Sequence, residues 1–360
     1  MGQSPPSNVY NADARGLPFY QGNADFGTRH PKTRIWCDAP TKIAHAGDIL
    51  LSVRAPIGAL NIATETCCIG RGLAGLTANP QKIDALYLYY MLQSKTHILS
   101  ALGTGSTFKA VSKAIVSEFP ISIYPLEKQK HIASVLDTIE RAIDNIHQQL
   151  NRLDELVKSQ FVEMFGDPVT NPMGWERARL ADKCEIVTGN TPSRKVKEYY
   201  GKDLEWIKSD NITEATTLTE ATEYLSDEGA KVGRTVETGS ILMTCIAGSL
   251  RSIGNVAIVD RKVAFNQQIN AIVPKKQNTY FMYEQFRLSK DYICSGINMA
   301  LKGILSKGQL SEIEFVFPPL TLQNEFAAFV EQVDKSELLL RQLLEKQQTL
   351  KKALMQEYFS

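Results

Sequence analysis

At 360 residues and 40.1 kDa, the chain is too long for one ordinary core and about right for two domains of roughly 150 residues. Hydrophobic residues at 43 % and charged residues at 22 % exclude a disordered or fibrous chain. Its 40 basic and 39 acidic side chains leave a formal charge of +1, so a strong polyanion-binding surface is not demanded.

The charge is uneven: residues 1–125 hold 11 basic and 7 acidic side chains, and residues 126–165 hold 5 and 7. The six cysteines (Cys37, Cys67, Cys68, Cys184, Cys245 and Cys294) form no C-x-x-C pair and no zinc spacing with histidine. Reduced, partly buried thiols in a cytosol are expected. A basic start followed by an apolar run is missing, and the stretches Ala55–Thr64 and Gly239–Leu250 fall short of a membrane span. No membrane partner is expected, and the cytoplasm is the expected location.

In chain order, Met1-Gly-Gln-Ser-Pro5 and Phe19-Tyr20 precede a short apolar strand, Gly47–Val53, entered from a turn glycine. A helix is predicted over Ile83–Ala101 and a strand ended by proline over Phe119–Tyr124. Ile132, Leu136, Ile139, Ile143, Ile146, Leu150, Leu153 and Val157 then recur at spacings of 4 and 3, a heptad repeat without glycine or proline. The same order returns about 190 residues later. Thr188-Gly-Asn-Thr-Pro192 matches the start, and Trp206-Ile207 matches Phe19-Tyr20. Gly239–Thr244 is a strand, Tyr280–Ser295 a helix and Ile313–Phe317 a strand. Val111-Ser-Lys-Ala-Ile-Val-Ser-Glu118 is echoed by Leu305-Ser-Lys-Gly-Gln-Leu-Ser-Glu312, and Pro125-Leu126 with Gln129 by Pro319-Leu320 with Gln323. Several matches in one order mean a duplication. The second copy ends on a seam of Phe326, Phe329, Val333, Ser336, Leu340, Leu343, Gln347, Leu350 and Leu354. A strict seam needs a partner helix, and the duplicated chain supplies one. Pseudo-twofold packing makes the pair antiparallel.

Catalytic patterns are missing. Gly103-Thr-Gly-Ser-Thr-Phe-Lys109 lacks the P-loop ending, Gly70-Arg-Gly72 lacks the third Rossmann glycine, and Asn171-Pro172-Met173 fails the adenine-methyltransferase loop. Asp260-Arg261-Lys262 matches half of a nuclease motif, but no Pro-Asp or Pro-Glu precedes it. His30, His45, His97, His131 and His147 show no pairing that suggests a base or a metal site. A binding protein is the expectation. Polar and basic residues stand beside glycines and aromatics in both copies. They are Gln21, Asn23, Arg29, Arg54, Arg71, Thr107, Lys109 and Lys113 in the first. The second has Lys208, Asn211, Arg251, Asn266, Gln267, Gln268, Lys302 and Lys307. Arginine and lysine suit guanine edges and phosphates; asparagine and glutamine suit adenine edges.

Two variable α+β modules, each followed by a long helix, resemble the DNA-specificity subunit of type I restriction–modification systems. The residues that carry the resemblance are Gly2-Gln-Ser-Pro-Pro6, Leu17-Pro-Phe-Tyr-Gln-Gly22, Gly47-Asp-Ile-Leu-Leu-Ser-Val-Arg-Ala-Pro-Ile-Gly58 and Cys68-Ile-Gly-Arg-Gly-Leu73. They continue with Phe165-Gly-Asp-Pro168, Phe265-Asn-Gln-Gln268 and the two proline–leucine junctions. The resemblance implies an α+β fold of two pseudo-repeated target-recognition domains, separated by two long helices pairing as an antiparallel coiled coil. It places these domains at 1–125 and 168–319 and the spacer helices at 126–167 and 320–360. The second module opens with Trp175–Thr188, whereas only Met1 precedes Gly2, so the expectation is either a first module without that edge strand or a shortened start.

By the same resemblance, each domain reads one half of a split, asymmetric site in double-stranded DNA. The helices act as ruler and docking surface for two methyltransferase subunits, which a restriction and translocation subunit can join. No cofactor is expected on this chain: S-adenosylmethionine, Mg and ATP belong to the partners. The alternatives are a stand-alone sequence-specific DNA-binding regulator, which binds tightly without partners, and a fused restriction–methylation enzyme, which the missing motifs disfavour.

Overall fold

The computed structural model describes residues 1–105, 109–249, 251–295, 297 and 303–360. It divides into two units. Unit 1 comprises Met1–His147 with Arg341–Ser360, and unit 2 comprises Gln148–Leu340. The fold is α+β throughout.

In unit 1, β1 (Leu17–Tyr20), β2 (Ile49–Ser52), β3 (Leu60–Ile62), β4 (Cys67–Ile69) and β5 (Leu73–Leu76) carry the core. β2 lies between β3 and β5 in a small antiparallel sheet, and β1 runs parallel to β4 in a second sheet. Helices follow: α1 (Ala85–Ser94), α2 (Thr96–Ala101), α3 (Lys113–Glu118) and the long α4 (Leu126–Phe165). The helix expected over Ile83–Ala101 is thus two, because the backbone at Lys95 leaves helical geometry (φ −100°, ψ 11°). Phe119–Tyr124, expected as a strand, is not one.

Unit 2 starts with β6 (Arg177–Arg179), α5 (Leu180–Lys183), β7 (Cys184–Thr188) and β8 (Tyr200–Ile207). It continues with β9 (Ile241–Thr244), β10 (Val256–Ile258), β11 (Val263–Phe265) and β12 (Ile269–Pro274). Then come α6 (Thr279–Leu288), α7 (Lys290–Cys294), α8 (Lys307–Glu312), β13 (Glu314–Val316) and the long α9 (Leu320–Phe359). Here too the expected helix Tyr280–Ser295 breaks in two, at Ser289 (φ −96°, ψ 12°). The sheet order is β7-β12-β9-β10.

The duplication is visible in the registers. Ile49 pairs with Leu76 and Ile62; Ile241 pairs with Ile272 and Ile258. Phe19-Tyr20 lie parallel to Cys68-Ile69, as Trp206-Ile207 lie parallel to Ala264-Phe265. Gly47 and Gly239 enter their strands at φ +87° and +85°, which an L side chain resists. The repeated glutamine has a structural reason. Gln129 Oε1 accepts from the Asp84 backbone N–H (2.9 Å) and Gln323 Oε1 from that of Asn278 (2.9 Å), each tying a long helix to the start of α1 or α6. Asp84 and Asn278 in turn cap those helices through their side-chain oxygens. Both glutamines are fully buried, so their hydrogen bonds are obligatory.

The two long helices run antiparallel within each unit. In unit 1, Ile132 and Leu136 share a core with Phe359 and Leu354, and Glu140 meets Lys351 at 2.9 Å. In unit 2, Phe161 and Phe165, late in α4, pack edge-on against Phe326, early in α9. On α4, Ile132, Leu136, Ile139, Ile143, Ile146, Leu150, Leu153 and Val157 are all buried or half-buried. On α9 the register differs from the leucine count. Inward positions are Phe326, Val330, Val333, Glu337, Leu340, Leu344, Gln347, Lys351 and Leu354, while Leu343 and Leu350 are 43 % and 45 % exposed. Phe329 is half-buried and Ser336 exposed. The 4–3 spacing holds, but alternate positions shift by one residue: Lys351 sits inward on Glu140, so polarity misleads the pattern.

All six cysteines are free, and all but Cys294 are buried. Burial pushes the thiols of Cys67, Cys184 and Cys245 up to about 12. At pH 8 such a thiol is ionised about once in ten thousand molecules. Native-state treatment with iodoacetamide at pH 8 is therefore expected to leave these three unmodified, with mass spectrometry of the peptides as readout.

Candidate nucleic-acid interface

In unit 1 the turn after β4 folds back onto the end of β1. The Gly70 N–H donates to the Tyr20 carbonyl (2.8 Å), and the Gly72 N–H to that of Gln21 (3.1 Å). A Cβ on Gly72 would collide with the Gln21 carbonyl oxygen, so glycine is what lets Arg71 stand directly beside Gln21. The result is a cleft of about 500 Å³ into which Gln21, Asn23, Arg34, Arg54 and Arg71 converge. The buried Asp25 carboxylate shapes its floor, accepting from the Gln21 N–H (2.7 Å) and pairing with Arg34. Arg54 and Arg71 are exposed, and no ion pair joins either to an acid among the described residues. Ala110 bridges Arg54 across the chain, which puts the exposed Lys109 one residue from that pairing. Arg29 turns away and pairs with Asp137 of α4. Lys113 is exposed at the start of α3. Thr107 lies outside the described residues.

Unit 2 builds the same turn from different side chains. The Asn266 N–H donates to the Ile207 carbonyl (3.0 Å) and the Ile269 N–H to that of Asn266 (3.2 Å), as Gly70 and Leu73 do in unit 1. Gln267 therefore occupies the place of Arg71. It is exposed, and its oxygen accepts from the Thr191 hydroxyl. Gln268 is half-buried and accepts from Asn266 (3.2 Å). Asn211 departs from the expectation of a base contact. It is buried, its oxygen accepts from the Lys208 N–H (3.0 Å), and its amide donates to the Glu220 carbonyl (2.9 Å). Nothing of that side chain is left for a base edge; it holds a turn, as Asp25 does in unit 1.

Lys208 lies 2.7 Å from Glu223, and Arg194 reaches the other Glu223 oxygen at 2.6 Å. The hydrogen bond from Lys208, followed by that from Arg194, holds the Glu223 carboxyl below its usual range despite some burial. Arg194 also lies over the rings of Tyr200 (4.7 Å) and Trp206 (5.2 Å). Arg251 and Lys307 are exposed, and Lys302 lies outside the described residues. Arg34 and Arg194 were not among the sequence candidates. Their only signal was a basic residue within a few positions of an aromatic strand end. No group of histidines, cysteines and acids able to hold a metal occurs among the described residues, and none of their helices is long and apolar enough to cross a membrane.

A family model described as the type I restriction modification DNA specificity domain matches residues 19–155 and 172–348. The chain belongs to the type I restriction–modification DNA specificity family. A Methanocaldococcus jannaschii protein assigned as the MjaX specificity subunit is 40 % identical over 158 residues, 44 % of this chain and 37 % of that protein. The Haemophilus influenzae HindI specificity subunit is 33 % identical over 156 residues, 41 % of this chain and 32 % of its own. Those two alignments thus span about a third of each relative. The M. jannaschii MjaIX specificity subunit is 24 % identical over 331 residues, 85 % of this chain and 75 % of that one. Among solved structures, the S subunit from M. genitalium shares the fold at TM-score 0.64 and 14 % identity, covering all of this chain and 92 % of its own. A chain from a structure on complex assembly and conformational transition of a type I system has TM-score 0.55 and 16 % identity, covering 97 % and 91 %.

Proposed function

We propose that this specificity-family chain is the DNA-reading subunit of a type I restriction–modification complex, with one half of a split, asymmetric site read by each unit. The observation that carries this reading is the shared turn. One backbone scaffold presents Arg71 in unit 1 and Gln267 in unit 2. Arginine bonds bidentately to guanine and glutamine to adenine, so a duplicated frame with exchanged side chains reads two different half-sites. Arg54 and Lys109 in unit 1, and Lys208, Arg194, Arg251 and Lys307 in unit 2, add phosphate or base contacts.

The chain itself does no chemistry. Two methyltransferase subunits bring S-adenosylmethionine, and a restriction and translocation subunit brings Mg and ATP. Leu343 and Leu350, seven residues apart on the exposed side of α9, form an apolar stripe suited to such docking. The near-neutral charge fits a subunit whose phosphate contacts are shared with larger partners.

The test is co-purification with a methyltransferase subunit encoded beside it, followed by sequencing of methylated sites. The chain alone, given S-adenosylmethionine and DNA, is expected to methylate nothing, and the complex to methylate a bipartite site. Turnover by the isolated chain, or tight sequence-specific binding with no partner recruited, would favour the alternatives.

A further inference from the structure

A tyrosine and an aromatic partner recur in both units on one frame. In unit 1 the Tyr10 ring stacks on Phe19 (4.7 Å), and its hydroxyl donates to the Pro5 carbonyl (2.6 Å). In unit 2 the Tyr200 ring meets Trp206 edge-on (6.0 Å), and its hydroxyl donates to the Pro192 carbonyl (2.7 Å). The neighbouring chain keeps the register. The Phe19 N–H donates to the Ile35 carbonyl (2.9 Å) and the Trp206 N–H to that of Glu223 (3.0 Å), so Ile35 and Glu223 hold equivalent places. Here the units part. Unit 1 has the apolar, 38 % exposed Ile35 and no basic residue from Pro5 to Tyr10. Unit 2 has the Glu223 carboxylate, and Arg194 in the loop between Pro192 and Tyr200. The acid and the arginine occur together in one copy and are missing together from the other.

We propose that Glu223 is a positioning residue that holds Arg194 as the reader of a guanine in the half-site of unit 2, an inference that rests on the reading of one half-site per unit. Arg194 lies over the rings of Tyr200 (4.7 Å) and Trp206 (5.2 Å), and its Nη2 meets a Glu223 oxygen at 2.6 Å. Two ring contacts set the plane of the guanidinium, and one carboxylate sets its rotation. The side chain is still 58 % exposed, and its other N–H groups meet no acceptor among the described residues. The loop that carries it is tied to the reading turn: the Thr191 hydroxyl donates to Gln267, and Trp206 Nε1 donates to the Asn190 carbonyl (3.3 Å). A planar fork held in one orientation suits the paired acceptors of guanine. A phosphate suits it less. Glu223 also takes Lys208 at 2.7 Å, so one carboxylate stands beside both cations. It repels an approaching phosphate oxygen, whereas a neutral base edge meets no such repulsion.

The experiment uses the complex with the methyltransferase partner, and reads methylated-site motifs together with the salt dependence of binding to a duplex carrying the parent motif. Arg194→Lys keeps the charge and removes the fork. It is expected to weaken discrimination about 5- to 150-fold at a single G·C pair of one half-site, with the other half-site and the gap unchanged. Glu223→Gln keeps the shape and removes the charge. It is expected to relax the same pair, and to steepen the slope of log K against log salt by about one as Lys208 and Arg194 turn to phosphates. A merely structural Glu223 would weaken binding to every sequence without steepening that slope, and this result would overturn the proposal. So would an unaltered motif in Arg194→Lys, or uniform weakening, which marks a phosphate contact. Gln267→Ala in parallel separates the two levels. If it relaxes a half-site while Arg194→Lys changes nothing, only the role given to Glu223 and Arg194 fails; if neither changes the motif, the reading of a half-site by unit 2 fails with it.

Discussion

Replacing Phe326 with alanine is expected to destabilise unit 2 by about 3–5 kcal/mol, the cost of removing a buried aromatic and leaving its cavity. Phe326 is fully buried. Its ring stands edge-on to Phe161 (5.4 Å) and Phe165 (5.7 Å), and both of those pack on Phe281 (5.4 and 4.9 Å). These four rings join α4, α6 and α9, so they cannot close the gap without moving three helices. A loss of this size is a large share of the roughly 5–15 kcal/mol that holds an ordinary domain together. Chemical denaturation followed by the fluorescence of Trp175 and Trp206, both in unit 2, reads it directly. An unchanged midpoint would show that the ring cluster carries little.

The second large effect concerns the spacing of the two half-sites. α4 and α9 each pass from one unit to the other without a break in helix. On the proposed reading, their length sets the gap in the target. Adding seven residues after Leu156 and seven after Lys335 preserves the 4–3 stripe on both helices, because a heptad returns every side chain to nearly its own face. It adds about 10.5 Å of helix. DNA rises about 3.4 Å per base pair, so the unread gap is expected to lengthen by about three pairs while the bases at either end stay the same. Methylated-site sequencing gives both quantities at once. The old gap with new bases would show that the helices do not act as the ruler.

Much of this architecture was legible because duplication writes each signal twice. Strand starts at Gly47 and Gly239 carry a left-handed backbone that favours glycine, and the Pro-Leu-x-x-Gln junction carries a buried amide with fixed partners. What failed did so where a residue type conceals its surroundings. Asn211 looks like a base reader, but it spends its amide on its own turn. The leucines at 343 and 350 look like core, while Lys351 takes an inward position by pairing with Glu140. Phe119–Tyr124 has the composition of a strand, yet pairing needs a neighbour that only unit 2 shows. The cleft of unit 1 was half visible. Gln21, Asn23, Arg54 and Arg71 were candidates, but Asp25, which ties Arg34 down and shapes the floor, carries no motif.

The most direct measurement is the methylated-site motif of the complex formed by the Arg54→Ala, Arg71→Ala chain with its methyltransferase partner. A bidentate arginine–guanine contact is worth about 1–3 kcal/mol, so losing it weakens discrimination roughly 5- to 150-fold at the base concerned. The account predicts that one half-site relaxes or disappears while the other half-site and the gap stay as they were. A parallel Gln267→Ala chain is expected to relax the opposite half. Both halves altered together by either change, or an unaltered motif in both variants, would contradict the reading of one half-site per unit.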